Sequence, residues 1–159
     1  MIGQVNEIAA FSMWFEAMPH KHKVCIGGNH DGVTLEAKFL ESQPGSDLSE
    51  RDIARSWLLN KNFIYLEDQG VEIMGLKIWG TPWSPTFFHW GFMKDRGEEI
   101  KEVWDMIPND TDILMVHGPP MGRGDFTQHG IRAGCADLLH TVQKRVKPQI
   151  CCFGHIHEG

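Results

Sequence analysis

Asp112-Ile113-Leu114-Met115-Val116-His117-Gly118-Pro119-Pro120 decides the fold class of this chain. Four consecutive apolar residues, ended by His117 and a rigid Gly-Pro-Pro exit, read as a buried strand that stops sharply. Upstream, Glu98 to Met106 carries a helical pattern closed by Pro108. Downstream, Cys135 to Val146 reads as another helix, with Leu138, Leu139 and Val142 on one face. Lys144 and Arg145 stand near its C-terminus, where cations suit the helix dipole, and Pro148 stops it. Ile150-Cys151-Cys152-Phe153 follows as a second buried strand. The order helix, strand, helix, strand implies parallel pairing with helical crossovers.

Working outward, Val24-Cys25-Ile26 is a third short apolar run. Ile8, Phe11, Phe15 and Met18 form the stripe of an amphipathic helix before it, closed by Pro19. Glu36 to Leu40 suggests a short helical piece, and Gln43 to Asp47 a loop. Ser49 with Asp52 resembles a capping box opening a helix through Leu59. Phe63 to Leu66, Val71 to Met74 and Leu76 to Gly80 read as strands of a more antiparallel part, with bends at Gln69-Gly70 and Gly75. Trp83, Phe87, Phe88, Trp90 and Phe92 form an aromatic loop, either lining a pocket or anchoring on the core. This mixture predicts a single layered α/β domain over 1–159 rather than a simple doubly wound sheet.

A length of 159 residues with 42% hydrophobic and 23% charged residues suits one globular domain with a real core. Fifteen basic against 21 acidic residues give a net charge of −6, which argues against binding a nucleic-acid backbone. A small phosphate ester stays compatible, because a metal ion would dominate local charge. No apolar run reaches membrane-spanning length, so no membrane partner is expected. Residues 1–18 lack a basic start and carry Glu7 and Glu16, unlike a signal peptide. Cys25, Cys135, Cys151 and Cys152 have no Cys-x-x-Cys spacing, and the expectation is reduced thiols in a cytoplasmic protein.

The chemistry sits where the apolar runs end. Asn29, after Gly27-Gly28, can offer an amide oxygen to a cation, and the glycines allow close approach. His30 beside it has no obvious apolar partner, which suits an acid or a transition-state hydrogen-bond donor. His117 ends its strand. His155 and His157, one residue apart, would point to the same side of an extended backbone and serve one metal or two. Each feature alone is commonplace; together, each at a strand end, they point to a divalent-metal site able to activate water. His20, His22, His89, His129 and His140 join no such spacing. Asp31 is expected to tighten its turn, and Arg96 and Arg123 to be solvated.

Gly28-Asn29-His30, His117-Gly118 and Gly154-His155-Ile156-His157 resemble the last three motifs of calcineurin-like metallophosphoesterases. Gly80-Thr81-Pro82-Trp83, Trp90-Gly91-Phe92, the run from Asp112 to Pro120, and Gly154 to Gly159 are similar to the small eukaryotic metallophosphoesterase-domain, or brain-enriched phosphodiesterase, branch. The resemblance implies a layered β-sandwich of mixed sheets flanked by helices. It implies two divalent metal ions in the complete protein, of Mn, Fe, Zn or similar kind. Asn29, His117 and His155 would bind one, His157 the other, and His30 would assist the leaving oxygen. Hydrolysis of phosphodiesters, cyclic nucleotides among them, rests on the resemblance alone.

The family's opening Asp-x-His strand and Gly-Asp motif have no counterpart before Asn29, and the expectation is a domain incomplete at both ends. Gly124-Asp125 lies after His117 rather than before Asn29, so it reads as a chance likeness. The alternatives are a catalytically silent fragment or a nucleotide- or metal-binding module. A structural zinc protein is disfavoured by the missing Cys-x-x-Cys pairs.

Overall fold

A computed structural model describes residues 3–46 and 48–159. Asp47, at the end of the expected loop, lies outside the described residues. Along the chain come α1 (Val5–Glu16), β1 (Val24–Ile26), α2 (Asn29–Leu35), α3 (Ala37–Ser42), α4 (Leu48–Leu58), β2 (Ile64–Leu66) and β3 (Gln69–Ile73). Then follow β4 (Leu76–Thr81), β5 (Ser84–Pro85), β6 (Met93–Lys94), α5 (Glu98–Asp105), β7 (Ile113–Val116), α6 (Ala136–His140) and β8 (Ile150–Cys152). The architecture is mixed α/β, with mixed sheets flanked by helices.

The main sheet has the order β3-β4-β7-β8. β4, β7 and β8 run parallel, as the helix-strand alternation implies. β3 and β4 form an antiparallel hairpin in which Ile73 faces Leu76. Its two-residue turn, Met74-Gly75, has φ of 54° and 80°, the left-handed pair that matches strand twist. Gln69-Gly70 is not a bend: it opens β3, opposite Gly80 and Trp79. β2 also departs from expectation, pairing in parallel with β1 as a separate sheet. The long connection through α2, α3 and α4 makes that pairing possible, and no local pattern announces it.

The small sheet packs on β4 at Gly80. A β-carbon there would lie 2.4 Å from Leu66 Cβ and 2.8 Å from Ile26 Cγ2, so the layers meet where a side chain is missing. One core gathers Trp104 and Ile100 of α5, Leu114 and Val116 of β7, and Leu138 of α6. The other gathers Ile8 of α1, Cys25 of β1, Ala54 and Leu58 of α4, and Tyr65 of β2. α1 ends two residues before Met18, and buried Lys23 closes it, Nζ donating to the carbonyls of Glu16 at 2.7 Å and Met18 at 3.0 Å.

The expected helix from Cys135 to Val146 changes type midway. α6 gives way to a π-helix, Thr141–Val146, ended by Lys147 at φ 51°. Arg145 leaves it to donate to the carbonyls of Trp104 and Ile107, each at 2.6 Å, satisfying the C-terminal end of α5. Among the described residues no helix is long and apolar enough to cross a membrane. All four cysteines are free; Cys152 is exposed, not buried as its apolar run suggests, because β8 is the sheet's edge.

Candidate metal centre

The chain leaves β1 through Gly27-Gly28 and enters α2 at once, so Asn29 is a helical residue rather than part of a turn. Asp31 performs the tightening expected of it, Oδ2 accepting the Gly28 N–H at 2.9 Å. Gly28 is required by packing. A β-carbon there would lie 2.5 Å from His117 Cε1, inside the imidazole's place.

His117 extends β7 by one residue, its N–H donating to Thr81 O at 3.2 Å and its carbonyl accepting the Gly154 N–H at 3.0 Å. The ends of β4, β7 and β8 are therefore in step. The His117 side chain crosses to Asn29, with Nε2 2.8 Å from Oδ1. An amide oxygen only accepts, so the shared hydrogen belongs to His117 Nε2.

His155 follows, its ring centroid 4.7 Å from that of His117 at 62°. The backbone here is not extended, against the expectation for His-x-His. His155 has φ 73°, and the Ile156 N–H returns to Gly154 O at 2.9 Å, a γ-turn centred on the histidine. An L-residue in that conformation is strained, and strain of this kind gathers at functional sites. The turn brings the His155 ring against His117 and leaves His157 exposed, so the two histidines do not share a side as strand neighbours.

Burial pushes the His117 imidazole down to about 3, and nearby His155, His30 and His157 push the same way. His155 is lowered for the same reasons, burial first, then His157 and His30. His30 and the pair His155 and His157, remote from His117 in sequence, thus all lie near enough to act on its imidazole. His117 is neutral at neutral pH, the state in which an imidazole can ligate a metal.

His30 was expected to lack an apolar partner, but it has one. Its ring centroid is 4.5 Å from that of Trp90, with planes inclined at 48°. Its Nδ1 is buried with no hydrogen-bond partner. Trp90 was visible only as one of a run of aromatics. Phe92 and Trp83 are anchors, edge-on at 5.4 Å, whereas Phe87 and Phe88 are exposed.

A model of the calcineurin-like phosphoesterase family matches residues 4–159. The chain belongs to this family. It is 38% identical over 168 residues to the human metallophosphoesterase domain-containing protein 1, covering 99% of this chain and 51% of that protein, with the same figures for the mouse protein. A UPF0046 protein of Caenorhabditis elegans is 39% identical over 172 residues, 99% of this chain and 43% of its own length. The chain spans about half the length of these relatives.

Calcineurin-like phosphoesterases generally use divalent metal ions, and two donor atoms here are spaced as ligands of one would be. Ligands about 2.1 Å from a shared cation stand roughly 3 Å apart, near the 2.8 Å between His117 Nε2 and Asn29 Oδ1. They do not fit a charge-balanced pair. Among the described residues no group of three or more His, Cys, Asp or Glu side chains is gathered closely enough to hold an ion. No carboxylate is among the groups that shift His117. Asp125, the tempting acid, is engaged elsewhere: Oδ2 accepts the N–H groups of Gly122 at 2.8 Å and Gly134 at 3.2 Å, and Oδ1 meets Arg132 at 2.8 Å. Arg96, expected in solvent, donates instead to the carbonyls of Ala133 at 2.6 Å and Gly134 at 2.7 Å.

Proposed function

We propose that this chain carries part of the catalytic centre of a phosphoesterase that hydrolyses small phosphodiesters, nucleotides and cyclic nucleotides among them. The observation that supports it most is the direct contact between Asn29 Oδ1 and His117 Nε2, with His155 packed on the same imidazole. In this reading Asn29, His117 and His155 would hold a divalent cation, and His157 would serve a second. A cation so held would polarise a phosphoryl oxygen and make a bound water more acidic. Everything else falls to the chain. Gly28 leaves room for the His117 ring, and burial keeps that ring neutral so that its nitrogen can be freed for a ligand. His30, at the N-terminus of α2, stands ready to give a proton to the departing oxygen.

The experiment is hydrolysis of an aryl phosphodiester by protein supplied with Mn²⁺ or Zn²⁺. His30→Ala should lower kcat about a hundred-fold or more, the scale of a lost general acid, with cation content unchanged. Lost cation with unchanged turnover per bound ion would make His30 a ligand instead and refute the assignment.

A second reading is a module that binds a cation or nucleotide without turnover. The all-neutral donor set favours it, since no carboxylate acts on His117 to offset a dication's charge. A bound nucleotide, with no hydrolysis at any cation concentration, would select that reading.

A further inference from the structure

The segment 86–92, between β5 and β6, is fastened at both ends. The Thr86 N–H donates to Lys94 O at 2.9 Å, and the Ser84 N–H to Phe92 O at 3.1 Å. Phe92 is fully buried and its N–H donates to the Glu36 carboxylate, at the junction of α2 and α3. Gly91 presses directly on α2. A β-carbon on Gly91 would lie 2.1 Å from the carbonyl carbon of Gly32, and one on Gly32 would lie 2.6 Å from that of Gly91. Two glycines therefore let backbone meet backbone, one residue beyond Trp90 and two beyond His30. That contact delivers the indole to the imidazole, with 4.5 Å between ring centroids.

We infer that Trp90 is a positioning residue for His30, placed by the Gly32–Gly91 backbone contact. A working histidine is commonly held by a hydrogen bond at its second nitrogen. His30 has no partner at Nδ1, so the aromatic contact restrains the ring in its place. Holding the imidazole in one plane limits the search for the angle at which a proton passes to the leaving oxygen. The importance of that angle rests on His30 acting as the proton donor; the restraint itself does not.

The test reads the ring directly. In protein labelled at histidine, the His30 ring resonances are assigned by their loss in His30→Gln, at one alkaline pH where imidazoles are neutral. Ring current from Trp90 should displace them from ordinary histidine positions. Trp90→Leu should return them to those positions, and Trp90→Phe should keep part of the displacement. Gly91→Ala, which removes no aromatic ring, should also move them. Phe87→Ala, exposed on the same loop, should leave them in place. Unchanged resonances in Trp90→Leu would overturn the proposal. A shift in Trp90→Leu without one in folded Gly91→Ala would overturn the role of the glycine contact. Should Gly91→Ala fail to fold, Gly32→Ala supplies the same clash from the other side, and Trp90→Leu still decides the restraint.

Turnover separates this inference from the reading beneath it. Trp90→Leu should lower kcat about tenfold or more at nearly constant KM, with recovery in Trp90→Phe. If His30→Ala lowers kcat and Trp90→Leu does not, the positioning role is wrong. If neither changes kcat while the resonances move as expected, the proton-donor reading fails and the restraint stands.

Discussion

At Gly28 the space that a β-carbon would need is filled by the His117 ring, 2.5 Å away at Cε1. Gly28→Ala is therefore expected to push the imidazole off Asn29 and weaken Mn²⁺ or Zn²⁺ binding about tenfold or more, the scale seen when a group orienting a metal ligand is lost. Titration calorimetry measures this. Equal affinity in the variant would mean that His117 is not a ligand. His155 tells a related story at its own backbone. Its φ of 73° costs strain that a strand would not, and the return is a ring packed on His117.

Between β7 and α6, the element that matters is the loop knotted by Asp125. Burial would raise this carboxyl, but the N–H groups of Gly122 and Gly134 and the Arg132 guanidinium outweigh it and hold it below the ordinary carboxylate range. The linkage has a definite sign. A carboxyl whose folded value is depressed stabilises the protein above its unfolded value near 3.9, and the gain fades as pH falls through the lower folded value. Asp125→Asn should cost about 2 kcal/mol near neutral pH by leaving buried donors unpaired, and the difference from wild type should shrink below about pH 4. Urea midpoints of both proteins across pH test it; a gap independent of pH would remove the charge from the explanation. The Gly124-Asp125 likeness to a metal motif is thus accounted for by loop structure.

For the whole molecule, the contact between layers at Gly80 and the charge of the centre set the behaviour. Gly80→Val would insert a branched side chain where Leu66 and Ile26 already touch the backbone, and should destabilise the protein by about 1–3 kcal/mol, read from its urea midpoint. A neutral result would mean that the two sheets separate freely. The neutral donor set gives a second expectation. Titration of the intact chain with Zn²⁺ or Mn²⁺ should saturate near one ion, held weakly, and lose heat in Asn29→Leu. Two tightly held ions would show that acids outside this cluster join it.

Local sequence determined much of this protein. The run from Ile113 to Val116, ended by His117 and bracketed by two helical patterns, specified parallel strands with crossovers, because apolar periodicity and proline and glycine stops act within a few residues. It also singled out Asn29 and His117, whose side chains meet at 2.8 Å. Tertiary structure decided the rest. That β2 lies parallel to β1 depends on how three helices fold back, and no residue within β2 encodes it. The turn at His155 depends on β8 ending beside His117, where the Gly154 N–H is already committed. The partnership of Trp90 with His30 required Gly91 and Gly32, 59 positions apart in sequence, to meet without side chains. Such contacts are legible only once the chain has closed on itself, because the steric space that selects glycine at each point is made by a distant segment.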